Sequence, residues 1–174
     1  MAQFINAFSW SGTRDKMFQE CKRRYYYHYY ASWGGWNSGA PGATRRIYLL
    51  KQLKNRQMWA GEVVHEKIED LIRLCRCKLD TPELPELLEE TRKRLRREFA
   101  SSRSRDYLTR PRQCALFEHH YQIEVSPQEW RNNADNADRC LTNFVQSAVF
   151  KKIKEMSNEE FLESEEFSSF LFEG

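Results

Sequence analysis

A mainly helical protein with one or two short strands is what this sequence predicts, on three observations. Apolar residues recur at three- and four-residue spacing through most of the chain, the signature of amphipathic helices. The segment 81–99 places its acids early and its bases late, as a helix dipole prefers. Only 116–125 and 161–174 carry strand-like patterning. Of the 174 residues 40% are apolar and 14% aromatic, which suffices for a core and argues against wholesale disorder.

Ser9, Ser11 and Thr13 are candidate N-caps for a first helix running to about Tyr30. Phe18, Cys21, Tyr25 and Tyr29 form its buried stripe. Tyr26, Tyr27 and Tyr30 spread around the rest, where their hydroxyls must meet water, a side chain or a ligand. The segment 32–42, rich in Gly, Ser, Asn and Pro, is expected to be a loop. A second helix over 44–53 turns Ile47, Leu50 and Leu53 inward and Arg45, Arg46, Lys51 and Lys54 outward. A third, over 57–78, carries the stripe Ala60, Val64, Ile68, Leu71, Ile72 and Cys75. A fourth opens near Thr81-Pro82, where Thr caps and Pro suits the first turn, and buries Leu84, Leu88, Leu95 and Phe99.

The Ser/Arg-rich segment 101–113 reads as a mobile basic loop. From 116 to 125, Phe117, His119, Tyr121, Ile123 and Val125 alternate with Glu118, His120, Gln122 and Glu124, which predicts a strand. Ser126-Pro127-Gln128-Glu129 has a capping-box pattern and opens a helix that Trp130, Ala134, Ala137, Leu141 and Phe144 carry to about residue 152. The stretch 161–174 is expected to be a strand.

The net charge of +3 conceals a polarity. Residues 155–174 hold seven acids and no Lys or Arg, so 1–154 set all 28 basic residues against 18 acids. Such a surplus attracts polyanions, nucleic acid being the commonest. The competing reading is a solvated basic surface with an acidic tail. One domain is expected, a basic helical part over 1–154 followed by an acidic tail over 155–174. Five irregularly spaced cysteines fit reduced thiols rather than a disulfide scaffold, and Cys75-Arg-Cys77 lacks zinc spacing. No run approaches the roughly 18 apolar residues of a membrane span. The N-terminus has no signal-peptide pattern, so a cytoplasmic protein with no membrane partner is expected.

In Gly61-Glu62-Val63-Val64-His65, Gly61 and His65 share one helix face. Glycine within a helix costs roughly 1 kcal/mol against alanine, so it needs a compensating reason. One is room for a metal, a phosphate or a strand beside the imidazole. The other is close helix packing, with His65 hydrogen-bonded at the edge of the core. Spacing alone leaves both open. Arg23, Arg24, Arg45, Arg46, Lys51 and Lys54 are candidate phosphate contacts, and the run from Tyr25 through Tyr26 to Tyr27 could stack on exposed bases. The competing reading is that these tyrosines pack helices.

Two segments carry a resemblance. Residues 9–30, with Ser11, Cys21, Arg23, Arg24 and the tyrosine run, resemble the N-terminal "S…C-P-R-x-Y-Y" helix of RecB-like nucleases in the PD-(D/E)XK superfamily. That group includes nuclease modules of helicase–nuclease complexes and CRISPR-associated exonucleases. Trp59-Ala60-Gly61-Glu62-Val63-Val64-His65-Glu66 is similar to the group's "G-x-x-x-H" helix, and order and separation match over about the first 75 residues. The resemblance implies the helical part of a restriction-endonuclease-like α/β fold and a metal-dependent DNA nuclease. It implies His65 as a ligand of Mg²⁺ or Mn²⁺ beside an Asp and a Glu or Asp. The metal would activate water while a Lys assists.

The chain departs from the family where the partners of His65 should follow. No D/E-x-K appears after His65, and the one literal match, Glu20-Cys21-Lys22, lies ahead of it. The stretch 161–174 resembles the family's first core strand. The expectation is a fragment, split product or decayed copy, truncated before the core sheet and inactive alone. DNA is the expected partner, with the missing C-terminal nuclease half or a helicase as further ones. Cys-Lys-Arg replaces C-P-R and no C-terminal cysteine trio follows. No iron–sulfur cluster is therefore expected, and Cys21 is read as a buried thiol with a structural role, as is Gly61. The alternative is a non-catalytic helical module that binds nucleic acid or protein.

Overall fold

The computed structural model describes residues 6–157 and Phe161, which are mainly helical with no strand among them. Along the chain lie α1 (Gly12–Glu20), α2 (Lys22–Tyr26) running into a π-helical turn (Tyr27–Ala31), and α3 (Gly42–Gln52). Then come α4 (Arg56–Arg76), α5 (Leu84–Arg103), a 3₁₀ turn (Asp106–Leu108), α6 (Phe117–Tyr121), α7 (Pro127–Gln146) and α8 (Ala148–Glu155). The described residues of Met1–Asn55 and Arg97–Glu124 form one compact unit, and those of Arg56–Arg96 and Val125–Gly174 a second.

The second unit is a helix cluster whose core is Leu71 and Cys75 of α4, Leu87 of α5, Leu141 of α7 and Phe150 of α8. Full burial of such side chains stabilises by about 1.5–3 kcal/mol each. Burial also pushes the Cys75 thiol up, keeping it protonated and unreactive. The buried face of α5 is shifted from expectation: Leu87, Thr91 and Leu95 are buried, while Leu84 and Leu88 are only partly so. Thr91 is tolerated there because its hydroxyl donates to the Leu87 carbonyl at 2.8 Å. The capping box of Ser126 and Glu129 forms as its spacing predicts. The helix it opens does not run unbroken to 152. Ser147 turns extended, donates to the Phe144 carbonyl and accepts the Phe150 N–H, so α8 starts afresh and Phe150 meets Phe144 with ring centroids 4.9 Å apart.

In the first unit Ser11 caps α1, as expected, but the long first helix is broken. Cys21 is extended (φ −164°, ψ 104°), and its Sγ accepts the Arg24 N–H at 3.4 Å, capping α2. Cys21 is exposed and is a cap, not a buried thiol. The break lets Trp10 and Phe18 close on Tyr25, with Phe18 and Tyr25 edge to face at 5.3 Å. On α3 the buried residue is Leu49, and Leu50, expected inward, is exposed.

The expected loop over 101–113 begins as the last turn of α5, and its centre is held. Tyr107 is fully buried with Leu49 and Ala115, and its hydroxyl lies 3.1 Å from His120 Nδ1. Ser101, Ser104 and Arg110 all bond the Asp106 carboxylate, and the two serine hydroxyls hold its pKa below the usual range. The expected strand over 116–125 is instead α6 and a left-handed turn at Gln122 (φ 56°). Its parity is also reversed: Leu116 and Glu118 are buried, whereas Phe117, Tyr121 and Ile123 are exposed. A strand needs a neighbour for its ladder. Among the described residues only Lys54 offers one, in a single parallel bridge to Leu116. Beyond Phe161, which packs on the core of the second unit, the strand expected over 161–174 lies outside the described residues.

Ser102 joins α5 to α6. It is fully buried, accepts the Leu116 N–H at 2.9 Å and is hydrogen-bonded to His119 Nδ1 at 3.0 Å. Burial, and secondarily the Arg103 charge, hold the His119 pKa below the ordinary value while Glu118 opposes. The unfolded chain therefore binds more protons here as pH falls through about 6.5, so this contribution to stability is complete above that value and lost below it. Urea midpoints at pH 7 and pH 5.5 check this: wild type should lose more stability on acidification than His119→Gln, and equal losses would refute it.

Candidate nucleic-acid interface

The basic and aromatic residues of the first helix segment converge on α3 through a local backbone anomaly. After α2 the hydrogen bonding widens, with the Ser32 N–H reaching back to the Tyr27 carbonyl at 3.2 Å. Such π turns insert one extra residue and re-aim the side chains around them. Lys51 of α3 donates to the His28 carbonyl at 2.8 Å, tying α3 to this turn. Gly35 sits where the loop passes α3. A Cβ built on it would stand 2.4 Å from Tyr48 Cβ and 2.8 Å from the Thr44 carbonyl oxygen. Only glycine permits that approach.

Between α2 with its π turn and α3 lies a groove of about 580 Å³. Arg24, Tyr27, His28, Arg46 and Lys51 line it, over an apolar floor that includes Ile47 and Leu50. The exposure of Leu50 thus has a place in a surface. No carboxylate lines the groove. Arg24 is shared with Glu20 at 3.3 Å, while Arg46 has no ion-pair partner among the described residues. Burial, then the charges of Lys51, Arg24 and Arg14, keep the His28 pKa below its ordinary value. Burial and the Arg14 charge lower that of Lys51. Burial is the larger cause of both shifts, and the neighbouring cations add to it.

Exposed rings border the same groove. Tyr26 is 56% exposed and stacks on Tyr30 at 6.4 Å with an interplanar angle of 15°. Tyr27 lies 5.7 Å from Tyr26, and the Arg23 guanidinium sits 5.7 Å above the Tyr27 ring. Tyr25, by contrast, is buried and packs α1 on α2, so the tyrosine run divides between core and surface. Basic side chains beside exposed aromatic faces are the elements that hold single-stranded nucleic acid.

The residues singled out in the sequence separate into three places. Arg24, Arg46 and Lys51 share the groove, with Arg23 and Tyr26 exposed on α2 beside it. Arg45 lines a different pocket of the same unit. Gly61 and His65 belong to α4 in the second unit, both exposed. A Cβ at Gly61 would meet nothing within 4 Å, so no described neighbour explains the glycine by close packing. Among the described residues no three His, Cys, Asp or Glu side chains gather as a metal ion needs.

Three of the late basic residues of α5 are committed within the second unit. Arg92 binds Asp138 at 2.7 Å and Asp135 at 3.0 Å, Arg94 pairs with Glu66, and Arg96 with Glu89. In the first unit 14 Lys and Arg face six Asp and Glu, so an excess of +8 concentrates there. His28 was the groove residue that motif spacing did not single out. A signal for the whole patch was present, since residues 21–61 contain eight Lys and Arg and no Asp or Glu. Comparison of the chain with protein families, with curated proteins and with solved structures returns no match.

Proposed function

We propose that this chain binds single-stranded nucleic acid along the α2–α3 groove, as the helical segment of a PD-(D/E)XK nuclease of the RecB-like group. The observation that carries the binding reading is the groove itself: Arg24, Arg46, Lys51 and His28 around an apolar floor, no carboxylate, and exposed Tyr26 and Tyr27 at its margin. Phosphates would lie against the cations and unstacked bases on the rings; duplex bases are already stacked and gain nothing from the tyrosines. The nuclease assignment rests on the resemblance of residues 9–30 and 59–66 to the family's two helical motifs. Hydrolysis is not ascribed to this chain, because no D/E-x-K follows His65 in its sequence.

Fluorescence anisotropy of a labelled oligothymidylate, titrated with protein across a salt series, tests the binding. A log–log salt slope of about −0.7 per phosphate contacted is expected, with a matched duplex bound more weakly. No binding at low salt would overturn the reading. Mn²⁺ calorimetry separates the nuclease ancestry from a helical module without it. Heat released by wild type and lost in His65→Ala favours a vestigial metal ligand; equal heats, or none from either, remove His65 from that role.

A further inference from the structure

The first unit has a second basic pocket, of about 400 Å³, built from two distant stretches of sequence. Arg45 of α3 enters from one side, Arg110 and Arg112 from the segment after the 3₁₀ turn on the other, with Trp36, Asn37 and Thr109 completing the wall. The three guanidiniums differ in how they are held. Arg45 Nη2 donates to the Asn37 carbonyl at 3.1 Å, while its Nε is enclosed and has no hydrogen-bond partner. Arg110 is anchored by Asp106 at 3.1 Å. Arg112 is exposed and has no ion pair among the described residues. No carboxylate lines the pocket. Three guanidiniums around one pocket whose lining holds no carboxylate make a site for an anion.

We propose that this pocket binds a phosphate monoester, the terminal phosphate of a nucleic-acid strand. The choice follows from charge and shape. A monoester carries close to two negative charges at pH 7 and three terminal acceptor oxygens, whereas an internal diester has one charge and two such oxygens. Guanidinium forks match the former. Arg45 precedes Arg46 of the groove in sequence, so one helix turn serves both sites. The strand-end assignment rests on the nucleic-acid reading of the groove; the phosphate site itself does not.

The test compares one labelled oligothymidylate in three forms, with a 5′-phosphate, with a 3′-phosphate, and with hydroxyls at both ends. One phosphorylated form should bind about tenfold more tightly than the hydroxyl-ended form, the scale of one charge-assisted bidentate contact. Arg112→Gln should abolish that preference while changing hydroxyl-ended affinity by less than about threefold, and Arg112→Lys should restore part of it. Arg103→Gln, which removes an exposed charge outside the pocket, should weaken all three probes alike and keep the preference. Equal affinity of wild type for all three probes would overturn the pocket, as would a preference that survives Arg112→Gln. If no oligonucleotide binds, the groove reading fails, and inorganic phosphate followed by ³¹P NMR decides the pocket. Binding by wild type and not by Arg112→Gln upholds it, and no binding by either overturns it. Thermal unfolding of each variant confirms that it is folded.

Discussion

Gly35→Ala is expected to destabilise the first unit by about 3 kcal/mol, the upper end of what overpacking a tight site costs. The added methyl would stand 2.4 Å from Tyr48 Cβ and 2.8 Å from the Thr44 carbonyl. Neither neighbour is the far end of a flexible side chain. Cβ and carbonyl oxygen both move only with the α3 backbone, so relief requires α3 to shift away from the loop. That shift would strain the Lys51 bond to the His28 carbonyl and the contact of Trp36 with Tyr48, whose centroids are 5.7 Å apart. The same variant should therefore lose oligonucleotide affinity although Gly35 touches no ligand. Gly39→Ala is the control, since a Cβ there meets nothing within 4 Å. Urea unfolding measures both, and a Gly35→Ala midpoint equal to that of Gly39→Ala would show that the close approach is not real.

Arg24→Gln combined with Arg46→Gln should lower affinity for a single strand on the order of 50-fold at 50 mM salt. Each phosphate neutralised on a single strand contributes a salt slope of about −0.7, which at that salt is roughly eightfold per contact. The salt slope should flatten by about 1.4 in the double variant. Both side chains are exposed, and the one ion pair lost is the surface pair of Arg24 with Glu20, so stability should change little. Arg92→Gln is the comparison on the other unit. Its guanidinium is already committed to Asp135 and Asp138, so it should cost stability and leave binding unchanged. An unchanged slope in the double variant would place any binding elsewhere.

These contrasts locate what could be read from the chain. Leu71, Cys75 and Leu141 fall on the helical periodicities that announce them, because an amphipathic stripe depends on spacing within one element. The Ser126–Glu129 capping box is likewise local, as three residues separate its partners. Interruptions were less legible. Cys21 and Ser147 break helices whose apolar stripes continue across them, since what the break gains is a contact to another element: Trp10 and Phe18 on Tyr25, Phe144 on Phe150. The alternation over 116–125 misled for the same reason. Period two says which residues could share a face, but a strand exists only if a neighbour pairs with it, and here Ser102 and a helical turn satisfy the backbone instead.

The candidate site divides along this line too. By itself the sequence determined a helical chain, a positive surplus and the candidate cations Arg23, Arg24, Arg45, Arg46 and Lys51, all of which are matters of composition and short-range order. Only the tertiary structure decided which cations remain available. Arg92, Arg94 and Arg96 meet carboxylates in their own unit, whereas Arg46 meets none among the described residues and Lys51 is turned to the His28 carbonyl, in a groove where Arg24 alone is shared with an acid, Glu20. The physical reason is that a charge's value to a ligand depends on its nearest opposite charge in space, and that neighbour is chosen by packing between elements far apart in the chain.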